Sequence, residues 1–400
     1  MAMQHKGSVF GRARPGILAA IAATALMCIG AHAASAQQDP VTIELQAPGS
    51  LKSLADGAGR DVSGRQEPAD AGFRITLDEH LLVNSKRDMD YNGGGEVAVS
   101  GARAVDNWFS IDRALGAIDR LDGLGALTST HMYGPTHAFA AGVVIFTPGD
   151  LHDPQPIPGD RPYASLMFLS NGRRYVLTDR AVAYDSSLTV GLLGLAAAES
   201  LQRSLHRITG SVQPQGWAHQ ISAGGEPTAR YSFARQSLLG QHVGTGGIDL
   251  DRDSTWTVAG SVGTITEGSI AFNSRSGRIR SPWWTTSPEQ SMYVDEARPA
   301  PPPLGPGWLS ELFLLTGARL KVRVYNAFLE GQFRHSDLRY GASDLNTLLG
   351  EAWVGVEFRN SSGLEFRYLS RWESPELRHG IGSRSFVWGS IEVSKAIGQR

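Results

Sequence analysis

The sequence predicts an all-β fold, an antiparallel β-barrel that crosses a membrane, with short helical insertions in its loops. Three observations favour this fold. The 400-residue chain begins like an exported protein, its strand-like segments are about ten residues long with aromatic residues at their ends, and its connections alternate between short and very long. Because period-two alternation alone also suits a soluble β-sandwich, the export signal and the loop lengths decide between the two folds.

The N-terminus has the pattern of a signal peptide. Basic residues Lys6, Arg12 and Arg14 precede an apolar run at 16–30, and small residues lead up to Ala36. The run is shorter than the roughly 20 apolar residues that a membrane-spanning helix needs. We therefore predict a cleaved signal peptide at residues 1–36.

Composition sets the remaining boundaries and excludes some classes of protein. Residues 37–71 are polar and lack periodicity, which predicts a flexible periplasmic tail, and residues 72–400 form the predicted barrel domain. The only cysteine, Cys28, falls in the signal, so we expect no thiol chemistry in the mature chain. With 37 Lys and Arg against 39 Asp and Glu, nothing suggests a nucleic-acid partner. An exported chain of this kind fits the envelope of a Gram-negative cell.

The clearest strand signals lie near the C-terminus. At 351–359, Ala, Val and Phe alternate with Glu, Gly and Arg, and at 364–372 large apolar residues alternate with Glu and Arg. Residues 277–308, which contain a proline-rich run, form a long loop of a kind that is uncommon in compact soluble domains.

Two segments interrupt the strand pattern with helical periodicity. At 110–122, Ile111, Leu115 and Ile118 share one face and Ser110 is a plausible N-cap, which predicts a plug or covering helix. The second, at 196–210, places Gln202 and His206 four residues apart and therefore on one face.

Several short motifs follow one another along the chain in a specific order. DMDYNGG stands at 88–94, TPG at 147–149, GDRPYAS at 159–165, the helix ESLQRSLHRITG at 199–210, and GW at 216–217, followed by Glu226, Pro227 and Tyr231. In this order the chain resembles the outer-membrane lipid A 3'-O-deacylase (LpxR) family, from about Phe73 to the C-terminus. The resemblance implies a barrel of about twelve strands in the Gram-negative outer membrane.

The resemblance also implies an activity. Members of that family remove the 3'-linked acyloxyacyl chain of lipid A by ester hydrolysis, with a helical histidine as general base and a divalent cation, usually Ca²⁺. We therefore expect lipopolysaccharide of the outer leaflet as the partner and substrate, and a monomeric barrel.

The residue types can support that chemistry. Histidine suits general-base catalysis since its unperturbed pKa of about 6.5 lies near working pH, so His206 is the expected base. Gln202 could orient water or donate to the oxyanion. Asp78 and Glu79 offer oxygens for the cation, with Asn92 and His80 as further support. For a last pair, Arg161 and Tyr163, a structural role is favoured, since an inward-pointing Arg161 bonded to carboxylates of the barrel interior needs no substrate.

The chain departs from the family pattern at four places. Glu79 and His80 stand where an Asn-Asp pair is expected, and Asn92 stands where a Thr is expected. The loop after Phe146 lacks a lysine, and Val212 replaces an acidic residue. Loss of these groups leaves two alternatives to the deacylase: a non-catalytic barrel that binds lipid or stabilises the envelope, and a small-solute pore.

If the N-terminus is periplasmic and strands alternate in direction, the connections after the first, third and fifth strands share one rim. These connections carry the 88–94 motif, the GDRPYAS motif and the Gln202/His206 helix. The sequence therefore predicts one site at the outer rim.

Overall fold

The protein was analysed as a computed structural model, which describes residues 71–83, 90–124, 132–245, 247, 249–290, 293–294, 296–298 and 310–397. The predicted signal peptide and nearly all of the predicted tail lie outside the described residues, as do Asp88 and Met89 of the 88–94 motif.

The sheet closes on itself. Within the described ranges it has twelve strands in sequential order, every neighbouring pair is antiparallel, and β1 pairs with β12 from Gly72↔Ala396 to Glu79↔Gly389. The strands are β1 Gly72–Glu79, β2 Asp90–Ser100, β3 Met132–Thr147, β4 Ala164–Leu177, β5 Val182–Leu193, β6 Glu226–His242, β7 Asp251–Gly263, β8 Ile265–Arg278, β9 Glu311–Asn326, β10 Leu348–Arg359, β11 Leu364–Glu373 and β12 Phe386–Ala396. The predicted all-β antiparallel barrel is confirmed.

The helices are short insertions between strands. Those that the structure describes are α1 Ala102–Asp106, α2 Asp112–Leu121, α3 Ala196–Thr209 and α4 Ala327–Glu330, with 3₁₀ turns at His80–Val83, Thr178–Arg180, Trp217–His219, Trp283–Thr285 and Pro288–Gln290. None of the described helices is long and apolar enough to span a membrane. The predicted Ser110 cap is wrong: Ile111 occupies the N-cap of α2, and the Ser110 hydroxyl donates to the carbonyl of Ala104.

The period-two pattern is inverted relative to a soluble protein. In β10 the buried residues include Glu351 and Glu357, whereas Val354 and Val356 are exposed. Polar side chains therefore line the lumen and apolar side chains form the outer surface, as in membrane barrels. Lumen-facing charges pair across strands, for example Arg319 with Glu351 at 2.5 Å.

The long connection between β8 and β9 runs through the lumen. Arg174 on β4 donates to the carbonyl of Trp284 at 2.6 Å, Arg371 on β11 donates to that of Pro288 at 2.7 Å, and Arg319 on β9 donates to that of Glu289 at 2.5 Å. Because these strands lie on different sides of the barrel, the described residues between 281 and 298 fill its interior. We call them the lumen segment.

An even number of strands gives the barrel two distinct rims. β1 begins and β12 ends at one of them, here called the terminal rim, and the connections after β1, β3 and β5 all lie at the other, the distal rim. Aromatic side chains close the lumen near the distal rim: Tyr91, Phe146, Tyr293, Phe328, Phe386 and Trp388.

Candidate functional site

Helix α3 follows β5 and packs on the barrel wall near the distal rim. Its buried residues are Ala198, Gln202 and His206, which stand four residues apart and so share one face. The helix ends at Gly210, which takes the left-handed conformation (φ 73°) that glycine adopts without strain.

The wall under α3 is the outer face of the barrel. On β3, Val144 and Phe146 belong to the aromatic cluster in the lumen. Ile145, which points the opposite way, packs instead with Tyr163, Ala198 and Trp217. The Gln202/His206 face of α3 is therefore pressed against the outside of the wall.

Trp217 fixes the orientation of the Gln202 side chain. Its indole Nε1 donates to Gln202 Oε1 at 2.8 Å, and an indole N–H can only donate. The amide oxygen is thereby occupied. The amide nitrogen is buried and has no hydrogen-bond acceptor among the described residues. Gln202 can consequently act as a hydrogen-bond donor to a ligand.

A backbone carbonyl fixes the tautomer of His206. Its Nδ1 hydrogen-bonds the carbonyl oxygen of Val212, which can only accept, so Nδ1 carries the proton. In the neutral ring the lone pair is then on Nε2. The main chain at Val212 therefore does what the expected acidic side chain would do, which is to orient the imidazole.

Two further predicted residues lie on the same outer surface. The rings of Tyr163 and Trp217 are 5.0 Å apart. Asn92 Nδ2 donates to Thr147 Oγ1 at 3.2 Å, and Thr147 shares the outward face of β3 with Ile145. Gln202, His206, Tyr163 and Asn92 are thus brought to one region.

Arg161 and Asp78 point the other way, into the lumen. Arg161 forms an ion pair with Glu376 and lies 4.1 Å over the Phe146 ring. Burial lowers the pKa of Arg161, but the Glu376 carboxylate outweighs burial and raises the pKa above its ordinary value. The Asp78 carboxylate accepts from Tyr91 at 2.9 Å and from Ser390 at 2.5 Å.

The predicted metal ligands do not form a common site. Asp78 faces the lumen, and Glu79, the next residue of β1, points to the opposite face of the wall. In the part of the chain that the structure describes, no group of three or more His, Cys, Asp or Glu side chains could hold a metal ion. The alternation of the strand thus places the Asp78 and Glu79 side chains on opposite faces of the wall.

His80 is buried at the end of β1, in a turn that packs on the neighbouring strands. It begins the turn His80–Val83, in which the carbonyl of Leu82 accepts from Tyr368 on β11 at 2.8 Å. Leu82 also packs closely on Gly389 of β12. The turn packs mainly on β12 and also contacts β1 and β2, whereas α3 lies over β3 and β4.

An apolar stripe runs along the flank of α3, next to its buried face. Leu201, Leu205 and Ile208 are spaced by four and three residues and are all exposed, Ile208 by 84%. Gln202 and His206 thus face the wall, and the exposed apolar stripe lies along the adjacent flank of the helix.

Sequence reasoning missed two side chains of this region. Trp217 had a signal, since it belongs to the GW motif, but its role as the donor to Gln202 depends on tertiary contact. Arg384, in the connection after β11, pairs with Asp90 and Asp160 at 2.8 Å each. Partial burial lowers the pKa of Arg384, but the two carboxylates outweigh it and raise the pKa above its ordinary value.

Comparison with known proteins agrees with this architecture. The model of a family described as "Outer membrane protein LpxR" matches residues 25–397. The chain belongs to the LpxR family. No curated protein sequence matches it.

A solved structure shares the fold. LpxR from Salmonella typhimurium aligns with a TM-score of 0.60 at 13% identity, over 82% of this chain and 100% of that one. The β domain of the Bordetella autotransporter BrkA (TM-score 0.37, 9% identity, 82% and 99% coverage) and the translocator domain of NalP from Neisseria meningitidis (0.31, 9%, 94% and 98%) are too distant to support an argument. This LpxR-family protein is therefore an outer-membrane barrel.

Proposed function

We propose that this LpxR-family barrel hydrolyses an acyl ester of lipid A, the 3'-linked acyloxyacyl chain. The observation that carries the proposal is the pair on α3: a histidine with its Nδ1 proton tied to Val212 and a glutamine whose amide nitrogen is available to donate. Family membership and the position of the pair at the distal rim support it, as that rim faces the outer leaflet when the chain termini are periplasmic.

His206 would act as the general base. Its Nε2 takes a proton from water, and the resulting hydroxide attacks the ester carbonyl carbon. The Nε2–H of Gln202 donates to the carbonyl oxygen as it becomes an oxyanion. Collapse breaks the ester C–O bond, and the imidazolium returns its proton to the leaving alkoxide. The products are a fatty acid and the free hydroxyl of the sugar.

The remaining residues would support this reaction indirectly. Tyr163 packs against Trp217, and Asn92 donates its amide nitrogen to Thr147 beside the site. The requirement for a divalent cation, expected to be Ca²⁺, stays a prediction, and no step above is routed through it.

One observation favours the non-catalytic alternative. Asp78 and Glu79 point to opposite faces, so the cation site that the sequence predicts does not assemble from them. A barrel without catalysis would use the same surface only to hold lipid.

The mass of lipid A discriminates between the two functions. Expression in a Gram-negative strain without such an activity is expected to lower the mass of lipid A by one acyloxyacyl unit, as measured by mass spectrometry. His206→Ala is expected to abolish the change because it removes the base. His219→Ala, which alters a histidine of the same connection that pairs with Asp337, is the matched control and should retain it.

Chelation of divalent cations tests the Ca²⁺ prediction separately, in purified outer membranes. An unchanged lipid A mass from a barrel that shows heat-modifiable migration would reject the deacylase and leave the lipid-binding alternative.

A further inference from the structure

The outer wall carries a polar stripe where a membrane barrel should be apolar. On β4, Asn171 and Arg173 point outward, because their neighbours Ser170 and Arg174 contact the lumen segment. His137 on β3 lies on the same outer face, paired with the same helix as Arg173. A cationic side chain on the lipid face is destabilising, most strongly at the bilayer midplane and less towards the interface.

Helices α1 and α2, which connect β2 to β3, cover that stripe. Asp112 of α2 pairs with Arg173 at 2.6 Å and with His137 at 2.9 Å. The Asn171 amide accepts from the backbone N–H of Ile111 at 2.8 Å and donates to the carbonyl of Ala104 at 3.2 Å. The polar groups of the wall are therefore satisfied by the helices rather than by lipid or water.

Helix α2 is amphipathic, but its acidic residues face the protein and an apolar stripe faces outward. Its buried face carries Asp112, Leu115, Gly116 and Asp119. Its outward face carries the stripe Ala114, Ala117 and Leu121, flanked by Arg113 and Arg120. An acidic face turned to the wall and an apolar face turned outward suit a helix that separates a polar protein surface from lipid.

Three large apolar side chains project from this cover. Trp108 is 92% exposed, Phe109 61% and Leu121 88%. Aromatic residues together with flanking arginines are the composition of elements that lie at the interface between lipid and water.

The cover also lies at the appropriate depth. Arg173 stands nine positions along β4 from Ala164 at the distal rim. With a rise of about 3.3 Å per residue and a tilt of about 40°, this is roughly 23 Å, close to the roughly 25 Å height of the lipid-facing band. The cover is thus continuous with the lower edge of that band, on the side of the terminal rim.

We propose that Trp108, Phe109 and Leu121 form an anchor that inserts into the headgroup region of the phospholipid leaflet at the terminal rim, with Arg113 and Arg120 facing lipid phosphates. The anchor makes the perimeter of the barrel apolar where its wall is polar. This assignment is independent of the activity of α3.

Spin labelling tests the anchor directly. On a Cys28→Ala background, Trp108→Cys, Phe109→Cys and Leu121→Cys are labelled with a nitroxide and reconstituted in vesicles of phosphatidylethanolamine and phosphatidylglycerol. Each site is exposed, so folding is expected to persist and is checked by heat-modifiable migration. Controls are Phe366→Cys on the apolar outer face of β11 and Ser343→Cys in an exposed distal connection.

We expect the labels at 108, 109 and 121 to collide preferentially with oxygen over a water-soluble nickel chelate, as at 366, with an immersion depth near the headgroups. Collision with nickel as frequent as at 343 would overturn the anchor. Dipolar broadening between labels of two molecules would also overturn it, since a second copy of the chain would then cover the patch.

Discussion

Gln202 presents its amide nitrogen, rather than its oxygen, to any ligand that reaches His206. The choice is made by Trp217, which occupies the oxygen. At this scale the site depends on two groups that cannot be exchanged: an indole that only donates and a backbone carbonyl that only accepts. The first sets the orientation of the Gln202 amide and the second sets the tautomer of His206.

Replacing Gln202 should therefore affect turnover more than binding. Gln202→Ala is expected to lower kcat by about 10²–10³-fold with little change in KM, because an oxyanion donor acts in the transition state. Trp217→Phe keeps the ring but loses one hydrogen bond, so a loss of roughly tenfold is expected. The measurement is the rate of fatty acid release from lipid A in mixed micelles; a change confined to KM would assign Gln202 to binding alone.

Helix α2 is the element whose environment could be read least well from sequence. Its periodicity correctly indicated a helix, but a helix between a polar wall and lipid has two dissimilar interfaces, and the spacing of Ile111, Leu115 and Ile118 does not say which one is the wall. For α3, by contrast, the predicted span of 196–210 is close to the observed Ala196–Thr209.

The strands were predictable for a simple reason. At 351–359 and 364–372 each residue faces either the lumen or the lipid. Polar and apolar residues therefore alternate with period two in the sequence. The partner of His206 was not predictable, because a backbone carbonyl at Val212 leaves no signature in residue type. The split of Asp78 from Glu79, by contrast, follows from the alternation of a strand, since neighbouring residues of β1 face opposite sides of the wall.

The Asp112 carboxylate makes the attachment of α2 to the barrel wall sensitive to acid. Burial raises its pKa, but hydrogen bonds from His137 and Arg173 outweigh burial and lower the pKa to about 2. A lowered pKa stabilises the folded state above the ordinary value of 3.8, and this contribution is lost as pH falls towards 2. Wild type should therefore exceed Asp112→Asn in free energy of unfolding at pH 7, by an amount that shrinks below pH 3.8.

Asp119, on the same helix, provides a control of opposite sign. Burial raises the pKa of Asp119 above its ordinary value. Its contribution is present at low pH and is lost as pH rises, so Asp119→Asn should gain relative to wild type towards neutral pH. Urea unfolding of the two variants between pH 2 and pH 7 measures both trends, and parallel pH profiles would contradict the assignment.

Interactions inside the lumen stabilise the barrel as a whole. The lumen segment and a lattice of paired charges occupy the space that a small-solute pore would leave open, which removes the structural basis for the pore alternative among the described residues. Glu351 illustrates the lattice: it is fully buried and bonds Arg319, Lys321 and Arg371.

Breaking that lattice should be costly. Glu351→Gln leaves buried cations without a counter-charge, and a loss of about 3–5 kcal/mol in the free energy of unfolding is expected. The matched control is Glu199→Gln, which breaks the partly exposed i,i+4 pair with Arg203 on α3 and should cost about 0.3–0.5 kcal/mol. Urea unfolding in detergent measures both, and equal losses would show that the lumen pairs add no stability.

The position of α3 on the outer wall, with Leu201, Leu205 and Ile208 exposed along its flank, has a kinetic consequence. If the proposed hydrolysis takes place here, its lipid substrate arrives by two-dimensional diffusion within the leaflet and not from the aqueous phase. The rate should accordingly follow the mole fraction of substrate in the membrane, so that adding inert lipid slows turnover even when the total amounts of protein and substrate stay fixed.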